Sequence, residues 1–184
     1  MIVDIEKSQL VIIDVQEKLS SVMPKDTLHN IVKRIELLVF ASNNLNIPYI
    51  CTEQYPKGLG KTLPEIQYFL TQAKYIEKKS FDCYAEPNFA SQLVRSRSQV
   101  ILMGMEAHIC VLQTALSLIE QGKEVFVIED AVISRNILNK KNALDRLRDA
   151  GCIITNTESV IFEWLKTADH KTFKQISSMI KDIG

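Results

Sequence analysis

Short apolar runs alternate with helix-forming segments along the chain, and this alternation constrains the fold more than any other feature. Most of the six runs are apolar and barely alternate with polar residues, which predicts strands that are buried on both faces. They lie at 9–14, 47–52, 75–78, 100–103, 124–128 and 152–155. Strands separated by helices in this way predict a three-layer α/β fold, in which one parallel sheet carries helices on both faces.

The segments between these runs carry the start signals of helices. Asp26 and Thr27 can cap a first long helix, whose apolar residues recur at helical spacing. Pro64 and Pro87 each open a short helix, because Pro is favoured in the first helical turn. Further helices are predicted at 111–119, 139–150, 161–165 and 170–183. A polar loop that contains glycine is predicted over 53–61.

Length and charge limit the class of protein. The chain has 184 residues and contains no internal repeat or linker, so we expect a single domain over 1–184. The formal net charge is zero, so no basic surface points to nucleic acid or to lipid. The apolar runs are far shorter than a bilayer span. We therefore expect neither a nucleic-acid partner nor a membrane partner.

The cysteines and the first residues indicate the compartment. Four cysteines are scattered along the chain, and none forms a CxxC pair. Met1 leads almost directly into the first strand, which leaves no room for a signal peptide. We therefore expect a reduced, cytoplasmic protein without structural disulfides.

Three reactive side chains follow predicted strands at the point where each strand ends. Asp14 closes the first strand, Lys78 closes the third, and Cys110 follows the fourth at the turn into a helix. In an open parallel sheet, ligands bind beyond the carboxyl ends of the strands. We therefore expect these three side chains to meet at one edge of the sheet, although they are far apart in the sequence.

The chemistry of these three groups fits acyl transfer. A carboxylate can accept the proton of a thiol, and a nearby ammonium favours the thiolate and balances the carboxylate charge. A position in the first turn of a helix, near its dipole and free N–H groups, is expected to lower the pKa of Cys110. The backbone amides around Glu106 and Cys110 could hold an oxyanion.

Each candidate also has a purely structural interpretation. Asp14 could be a loop or capping residue, and Lys78 a solvated lysine. Cys110 could be a small core residue, since free cysteine packs well. Cys83 lies in a loop near Lys78, where it could line a pocket or simply pack, and His108 could assist the reaction or shape the turn. The shared placement at strand ends favours the functional interpretation for the first three.

Familiar cofactor motifs are missing from the sequence. It contains no Asp-x-His or His-x-His pair, so we expect no protein-bound metal. Gly58-Leu-Gly60 lacks the strand-then-helix setting of a dinucleotide loop. Leu116 stands where a phosphatase loop of the Cys-x5-Arg type would need arginine. We therefore expect a protein that works without a cofactor.

The sequence resembles the isochorismatase-like cysteine hydrolase superfamily over nearly its whole length. The matching stretches are 10–16 (LVIIDVQ), 78–81 (KKSF) and 104–114 (GMEAHICVLQT). A further stretch, 52–60 (TEQYPKGLG), is similar to the subgroup named isochorismatase domain-containing proteins. These motifs are specific mainly through their shared order and spacing.

The resemblance implies a six-stranded parallel sheet of Rossmann-like topology and a catalytic triad at Asp14, Lys78 and Cys110. Members of the superfamily cleave amide-type C–N bonds through a thioester. The resemblance also implies a non-proline cis peptide at Met105–Glu106, which would aim the Glu106 and Cys110 amides at the oxyanion. It further implies a homo-oligomer, a dimer or a larger assembly.

Two departures from the superfamily narrow the prediction. Nicotinamidases carry an Asp-x-His metal site where this sequence has Glu53-Gln54-Tyr55. True isochorismatases hydrolyse a vinyl ether and generally lack the nucleophilic cysteine, which is present here as Cys110. We therefore predict a metal-free cysteine hydrolase for a small amide, with Gln16 and Tyr55 as candidate substrate-binding residues. Three alternatives stay open: a non-catalytic protein on the same fold, a thiol-redox protein in which Cys83 resolves Cys110, and vinyl-ether hydrolysis.

Overall fold

One parallel sheet organises the protein, for which a computed structural model describes residues 1–181. Its six strands have the spatial order β3-β2-β1-β4-β5-β6. They are β1 (Ser8–Ile13), β2 (Tyr49–Gln54), β3 (Lys74–Lys78), β4 (Gln99–Met105), β5 (Glu124–Ile133) and β6 (Ile153–Thr155). Every pair of neighbouring strands is parallel. The predicted α/β fold and its Rossmann-like topology are thereby confirmed.

Helices fill the connections between the strands. They are α1 (Glu17–Ser20), α2 (Lys25–Leu45), α3 (Pro56–Leu59), α4 (Pro64–Gln67), α5 (Pro87–Gln92), α6 (Leu112–Glu120), α7 (Ile137–Asp149), α8 (Thr157–Leu165) and α9 (Phe173–Lys181). A 3₁₀ turn, Cys83–Ala85, precedes α5, and a π-helical turn, Ala107–Val111, precedes α6. Within residues 1–181, no helix combines the length and the hydrophobicity needed to cross a bilayer.

The core consists of two apolar layers, one on each face of the sheet. Alternate residues of β1 enter opposite layers, because successive side chains of a strand point to opposite faces. Leu10 and Ile12 pack in the layer that contains the buried residues of α2 and α8. Val11 and Ile13 pack in the layer that contains those of α6 and α7. Burial on both faces explains why β1 is apolar at consecutive positions.

The strand order places a topological switch point between β1 and β4. Ligands of open α/β sheets bind in the crevice outside the carboxyl ends of such neighbouring strands. Gly104, near the end of β4, has φ +116, and a Cβ built there would lie 2.1 Å from the carbonyl oxygen of Ile13. Glycine therefore permits the two strand ends to approach each other at the switch point.

Several predicted boundaries were wrong. Pro24 precedes α2 and the helix begins at Lys25, so Asp26 lies inside the first turn and no side chain caps the helix. The predicted loop at 53–61 instead contains the end of β2 and the short helix α3.

Two further boundaries lie in the second half of the chain. β5 continues past the predicted end at 128, because the buried segment 131–133 pairs again with β4 after a register shift. The final helix begins at Phe173 rather than at 170, and its predicted end at 182–183 lies outside the described residues.

Candidate active site

The ion pair between Asp14 and Lys78 is the buried centre of the candidate site. Asp14 follows β1 and Lys78 ends β3, so the sheet order brings them together across the end of β2. Lys78 Nζ lies 2.7 Å from Asp14 Oδ2, and both side chains are completely buried. Burial alone would lower the pKa of Lys78, but the negative charge of Asp14 helps to outweigh it, so the pKa is raised. Lys78 is therefore an ammonium.

The ammonium of Lys78 has more acceptors around it than it has protons. Nζ donates to Gln54 Oε1 at 2.6 Å and to the carbonyl oxygens of Ser80 at 3.1 Å and Phe81 at 3.3 Å. An ammonium has three donor hydrogens, which these acceptors can occupy. Asp14 Oδ2 is a fourth acceptor, in charge contact with Nζ at 2.7 Å. The Asp14 carboxylate also lies close enough to Cys110 for its charge and a side-chain hydrogen bond to raise the pKa of that thiol.

The other oxygen of Asp14 is fixed by Thr52, a residue that the sequence analysis did not identify. Thr52 Oγ1 donates to Asp14 Oδ1 at 2.7 Å, and the Asp14 amide donates to the Thr52 carbonyl at 3.1 Å. Asp14 has φ +52, in the left-handed region that aspartate tolerates better than most residues. Two hydrogen bonds to β2 thus hold the carboxylate in its position beyond β1.

Cys110 lies in the π-helical turn Ala107–Val111 between β4 and α6. Such turns are rare and occur frequently at functional sites. The Glu106 carbonyl accepts from the amides of Ile109 at 3.0 Å and Val111 at 3.3 Å, on either side of Cys110. The peptide bond Met105–Glu106 is cis, as the resemblance implies. Cys110 is 6% exposed, so its thiol has a narrow contact with solvent.

The pKa of Cys110 differs from the expectation based on the sequence. Burial raises the pKa of this thiol above its ordinary value, and the negative charge of Asp14 raises it further. The positive charge of Lys78 lowers it, but by less. The predicted lowering by the helix dipole was therefore wrong, because desolvation and a neighbouring carboxylate dominate. The nucleophile candidate is therefore a buried thiol beside a carboxylate.

A second ion pair, between Glu106 and Arg135, lies at the same edge of the sheet and was also missed. Arg135 follows β5, the neighbour of β4. Its backbone amide donates to Glu106 Oε2 at 2.9 Å, and its Nε lies 3.1 Å from Oε1 and 3.2 Å from Oε2. His108 Nδ1 lies 2.9 Å from Ser134 Oγ. His108 therefore contacts the loop after β5 and helps to shape the turn.

The two candidate substrate-binding residues have different surroundings. Gln16 is fully buried. Its Nε2 donates to the carbonyls of Gln54 at 3.0 Å and Gly60 at 2.7 Å, and its Oε1 accepts from the Gln54 amide at 2.7 Å. These bonds use its amide group within the protein, so Gln16 joins the end of β1 to the loop at Gly60. Its role in substrate binding stays a prediction.

Tyr55, in contrast, is 53% exposed. It lines a cavity of about 490 Å³ beside the end of β3, together with Pro56, Lys57, Glu77, Lys78, Lys79 and Glu86. Lys78 is among the lining residues, although its side chain is completely buried. Neither Asp14 nor Cys110 lines this cavity, so the substrate-binding role of Tyr55 stays a prediction.

Cys83 is packed near Thr52, the residue that bonds Asp14. It is completely buried, its amide donates to Thr114 Oγ1 at 2.9 Å, and its sulfur lies 3.9 Å from Thr52 Oγ1. Burial raises the pKa of the Cys83 thiol to about 12. Of the alternatives for Cys83, packing fits this position better than a surface-exposed pocket residue.

The residues that replace the nicotinamidase metal motif have other partners. Glu53 is buried, and its Oε1 accepts from the Thr62 amide at 2.8 Å, while its Oε2 lies 3.2 Å from Lys61 Nζ. Gln54 bonds Lys78, as described above. Over residues 1–181 no group of three or more His, Cys, Asp or Glu side chains is arranged to hold a metal ion.

Sheet order and topology place the chain in the class of Rossmann-like α/β proteins. A sequence profile of the isochorismatase domain matches residues 8–159. The chain therefore belongs to the isochorismatase family, which is a family of hydrolases. This match confirms the resemblance seen in the sequence motifs.

Curated relatives and solved structures agree with this assignment. Isochorismatase domain-containing protein 2 of Danio rerio is 39% identical over 174 residues, which are 94% of this chain and 86% of that protein. The structure titled MAR1 ribonuclease from Caenorhabditis elegans is 35% identical, covers 98% of this chain and 93% of its own, and has a TM-score of 0.92. The YcaC gene product from Escherichia coli, described as an octameric hydrolase of unknown specificity, is 26% identical with coverages of 100% and 93% and a TM-score of 0.89.

Proposed function

We propose that this protein is a cysteine hydrolase that cleaves the C–N bond of a small amide, with Asp14, Lys78 and Cys110 as its catalytic residues. The single observation that carries the proposal is the meeting of three groups at one point. The buried carboxylate of Asp14 is paired with the ammonium of Lys78 at 2.7 Å and lies beside the thiol of Cys110, whose pKa it raises. A base next to a protonated nucleophile is the arrangement that covalent catalysis needs.

The first half of the reaction forms a thioester. Asp14 Oδ2 accepts the proton of Cys110 as the sulfur attacks the amide carbonyl carbon. The carbonyl oxygen becomes an oxyanion, which the backbone amides of Glu106 and Cys110 stabilise. The tetrahedral intermediate collapses, the C–N bond breaks, and the leaving nitrogen takes the proton from Asp14. Lys78 stays protonated throughout and offsets the charge of Asp14 whenever that carboxylate is ionised.

The second half releases the acid. Asp14 accepts a proton from water, and the resulting hydroxide oxygen attacks the thioester carbonyl carbon. The C–S bond then breaks, the product leaves as a carboxylic acid, and the sulfur of Cys110 recovers its proton from Asp14. No redox step or cofactor enters this balance.

The surroundings of the site support a small substrate. Cys110 has only a 6% exposed surface, which suits a compact acyl group better than a polymer. We propose that Tyr55 lies along the path of the substrate, because it lines the cavity next to Lys78. The net charge of zero adds no electrostatic attraction for a polyanion.

A panel of small amides, assayed by ammonia release, tests the proposal. The Cys110→Ala variant should be inactive, whereas Cys152→Ala should retain activity, because Cys152 is an equally free and buried cysteine beside β6. Intact-mass spectra of the wild type at steady state should show an added acyl group that is lost in Cys110→Ala. Turnover by Cys110→Ala would refute the nucleophile assignment.

Two further substrates in the same panel separate the alternatives. Hydrolysis of isochorismate by both the wild type and Cys110→Ala, without amide turnover, would establish vinyl-ether chemistry instead. A fluorescent RNA is included because the C. elegans neighbour is titled a ribonuclease. Cleavage of RNA that persists in Cys110→Ala would replace the present proposal.

The same proposal includes a homo-oligomer in a reducing, cytoplasmic compartment. The octameric YcaC neighbour supports assembly of identical chains. All four cysteines are free and buried, which is compatible with a reducing environment. Light scattering after size exclusion should give a mass of two or more chains of 20.9 kDa. A monomer at micromolar concentration would refute the oligomer.

A further inference from the structure

The pair Glu106–Arg135 joins the loop that carries the nucleophile to the loop after β5, and the reaction described above does not use it. The Glu106 carboxylate is buried, with 5% of the side chain exposed, whereas the Arg135 side chain is 58% exposed. Arg135 contacts the carboxylate twice, through its backbone amide and through Nε. The contact is therefore part backbone and part ion pair.

A second contact connects the same two loops. His108 Nδ1 lies 2.9 Å from Ser134 Oγ, and His108 Nε2 lies 3.4 Å from Asn139 Nδ2 in α7. Glu106 and His108 come just before Cys110, and Ser134 and Arg135 are adjacent. The segment 106–110 is thus tied to the end of β5 at two neighbouring points.

The charge of Glu106 makes this connection relevant to the reaction. The backbone amide of Glu106 is one of the two proposed donors to the oxyanion. The side-chain carboxylate of the same residue is buried, so its negative charge lies near that amide. A buried negative charge without a partner would oppose a second negative charge that develops nearby. The guanidinium of Arg135 compensates the negative charge of Glu106. Because the Arg135 side chain is exposed, this ion pair does not require the desolvation of a cation as well.

We infer that Arg135 is a positioning residue, which holds Glu106 and neutralises its carboxylate so that the Glu106 and Cys110 amides can stabilise the oxyanion. This inference rests on the proposed amide hydrolysis. Loss of Arg135 should therefore slow the step that forms the oxyanion, and it should leave the nucleophilicity of the Cys110 sulfur unchanged.

Two reactions of the same cysteine separate these effects. Amide hydrolysis passes through an oxyanion, whereas alkylation of Cys110 by iodoacetamide does not. In Arg135→Gln both amide donors remain, but Glu106 loses its positioning and its charge partner. We therefore expect kcat for the amide to fall by about tenfold, which is less than the loss of a whole oxyanion donor costs. The rate constant of Cys110 alkylation, followed by intact mass, should stay within about twofold of the wild type.

Two variants complete the experiment. Arg148→Gln is the matched control, because Arg148 forms an exposed ion pair with Asp145 and its side chain has a similar exposure of 54%. It should change neither rate. The double variant Glu106→Gln, Arg135→Gln removes both charges and should recover part of the lost kcat. If Arg135→Gln alone fails to fold, the double variant carries the test, with kcat below that of the wild type and alkylation unchanged.

The outcomes distinguish the inference from the proposed function. Absence of amide turnover in the wild type would defeat the function and the inference with it. An active wild type whose Arg135→Gln variant has the same kcat would overturn only the inference. An equal fall of kcat and of alkylation would also overturn it, since that pattern indicates a general disturbance of the turn.

Discussion

Replacing Lys78 by methionine isolates the energy of the buried ion pair. Lys78→Met keeps a similar length but removes the ammonium, which leaves the Asp14 carboxylate buried without the charge that lies 2.7 Å away in the wild type. Removal of one partner of a buried pair costs about 3–5 kcal/mol. For a chain of this size, that loss lowers Tm by about 6–20 °C. We therefore expect a folded but much less stable protein that has lost its activity.

Urea unfolding followed by circular dichroism measures this loss. The matched control is Lys61→Met, because Lys61 also contacts a buried carboxylate, Glu53, at 3.2 Å, but its side chain is 62% exposed. The Glu53 carboxylate keeps the amide and the hydroxyl of Thr62 as donors when Lys61 is replaced, so the control should change stability little. A loss below about 1 kcal/mol in Lys78→Met, or an equal loss in both variants, would refute the argument that burial sets the strength of the pair.

The pH dependence of the same difference provides a check on its sign. The pKa of Lys78 is raised in the folded protein. A group with a raised folded pKa stabilises the fold fully below its unfolded pKa, and this stabilisation is lost as the pH rises through the folded value. The stability advantage of the wild type over Lys78→Met should therefore be constant between pH 7 and 9 and shrink above about pH 10.4.

Three other predictions concern neighbouring residues. Burial and then the charge of Asp14 raise the pKa of Cys110, so iodoacetamide should alkylate the native thiol more slowly at pH 7 than the same thiol in urea. The variant Asp14→Asn should move the pH profile of alkylation to lower pH and abolish amide turnover. An unshifted profile would contradict the assignment of the raised pKa to Asp14. Thr52→Val removes the hydrogen bond to Asp14 and should lower kcat by about tenfold with KM nearly unchanged, whereas Thr52→Ser should retain activity. Equal kinetics of the two variants would argue against a role of the Thr52 hydroxyl in holding Asp14. Gly104→Ala should destabilise the protein by about 2 kcal/mol or more in thermal melts, because its Cβ would meet a backbone carbonyl at 2.1 Å; a Tm equal to that of the wild type would show that the strand ends can separate.

Much of the architecture could be predicted from local sequence patterns. Residues 9–14 are apolar at consecutive positions because β1 is covered on both faces, and this property is visible without coordinates. Proline marked the starts of α4 and α5 correctly. The extension of β5 was not predictable in this way, because Glu129 and Asp130 interrupt the apolar pattern and only pairing with β4 continues the strand.

Some residues of the candidate site could be selected from the sequence, and others could not. Asp14, Lys78 and Cys110 could be selected from the sequence because each follows a strand, and parallel strands end at a common edge. Thr52, Gln54 and Arg135 carry no comparable signal; they are polar residues whose partners lie on other strands or loops. A strand-end threonine or arginine acquires a role only when the sheet order determines its neighbour.

The sequence by itself determined the layered fold, the edge at which reactive groups collect and the types of those groups. These follow from hydrophobic burial and backbone geometry, which act over a few residues. Only the tertiary structure decided that burial and Asp14 raise the pKa of Cys110, that Gln16 bonds the Gln54 amide, and that Glu106 is paired with Arg135. Desolvation and charge–charge interactions depend on distances between distant segments, and packing of the whole sheet sets those distances.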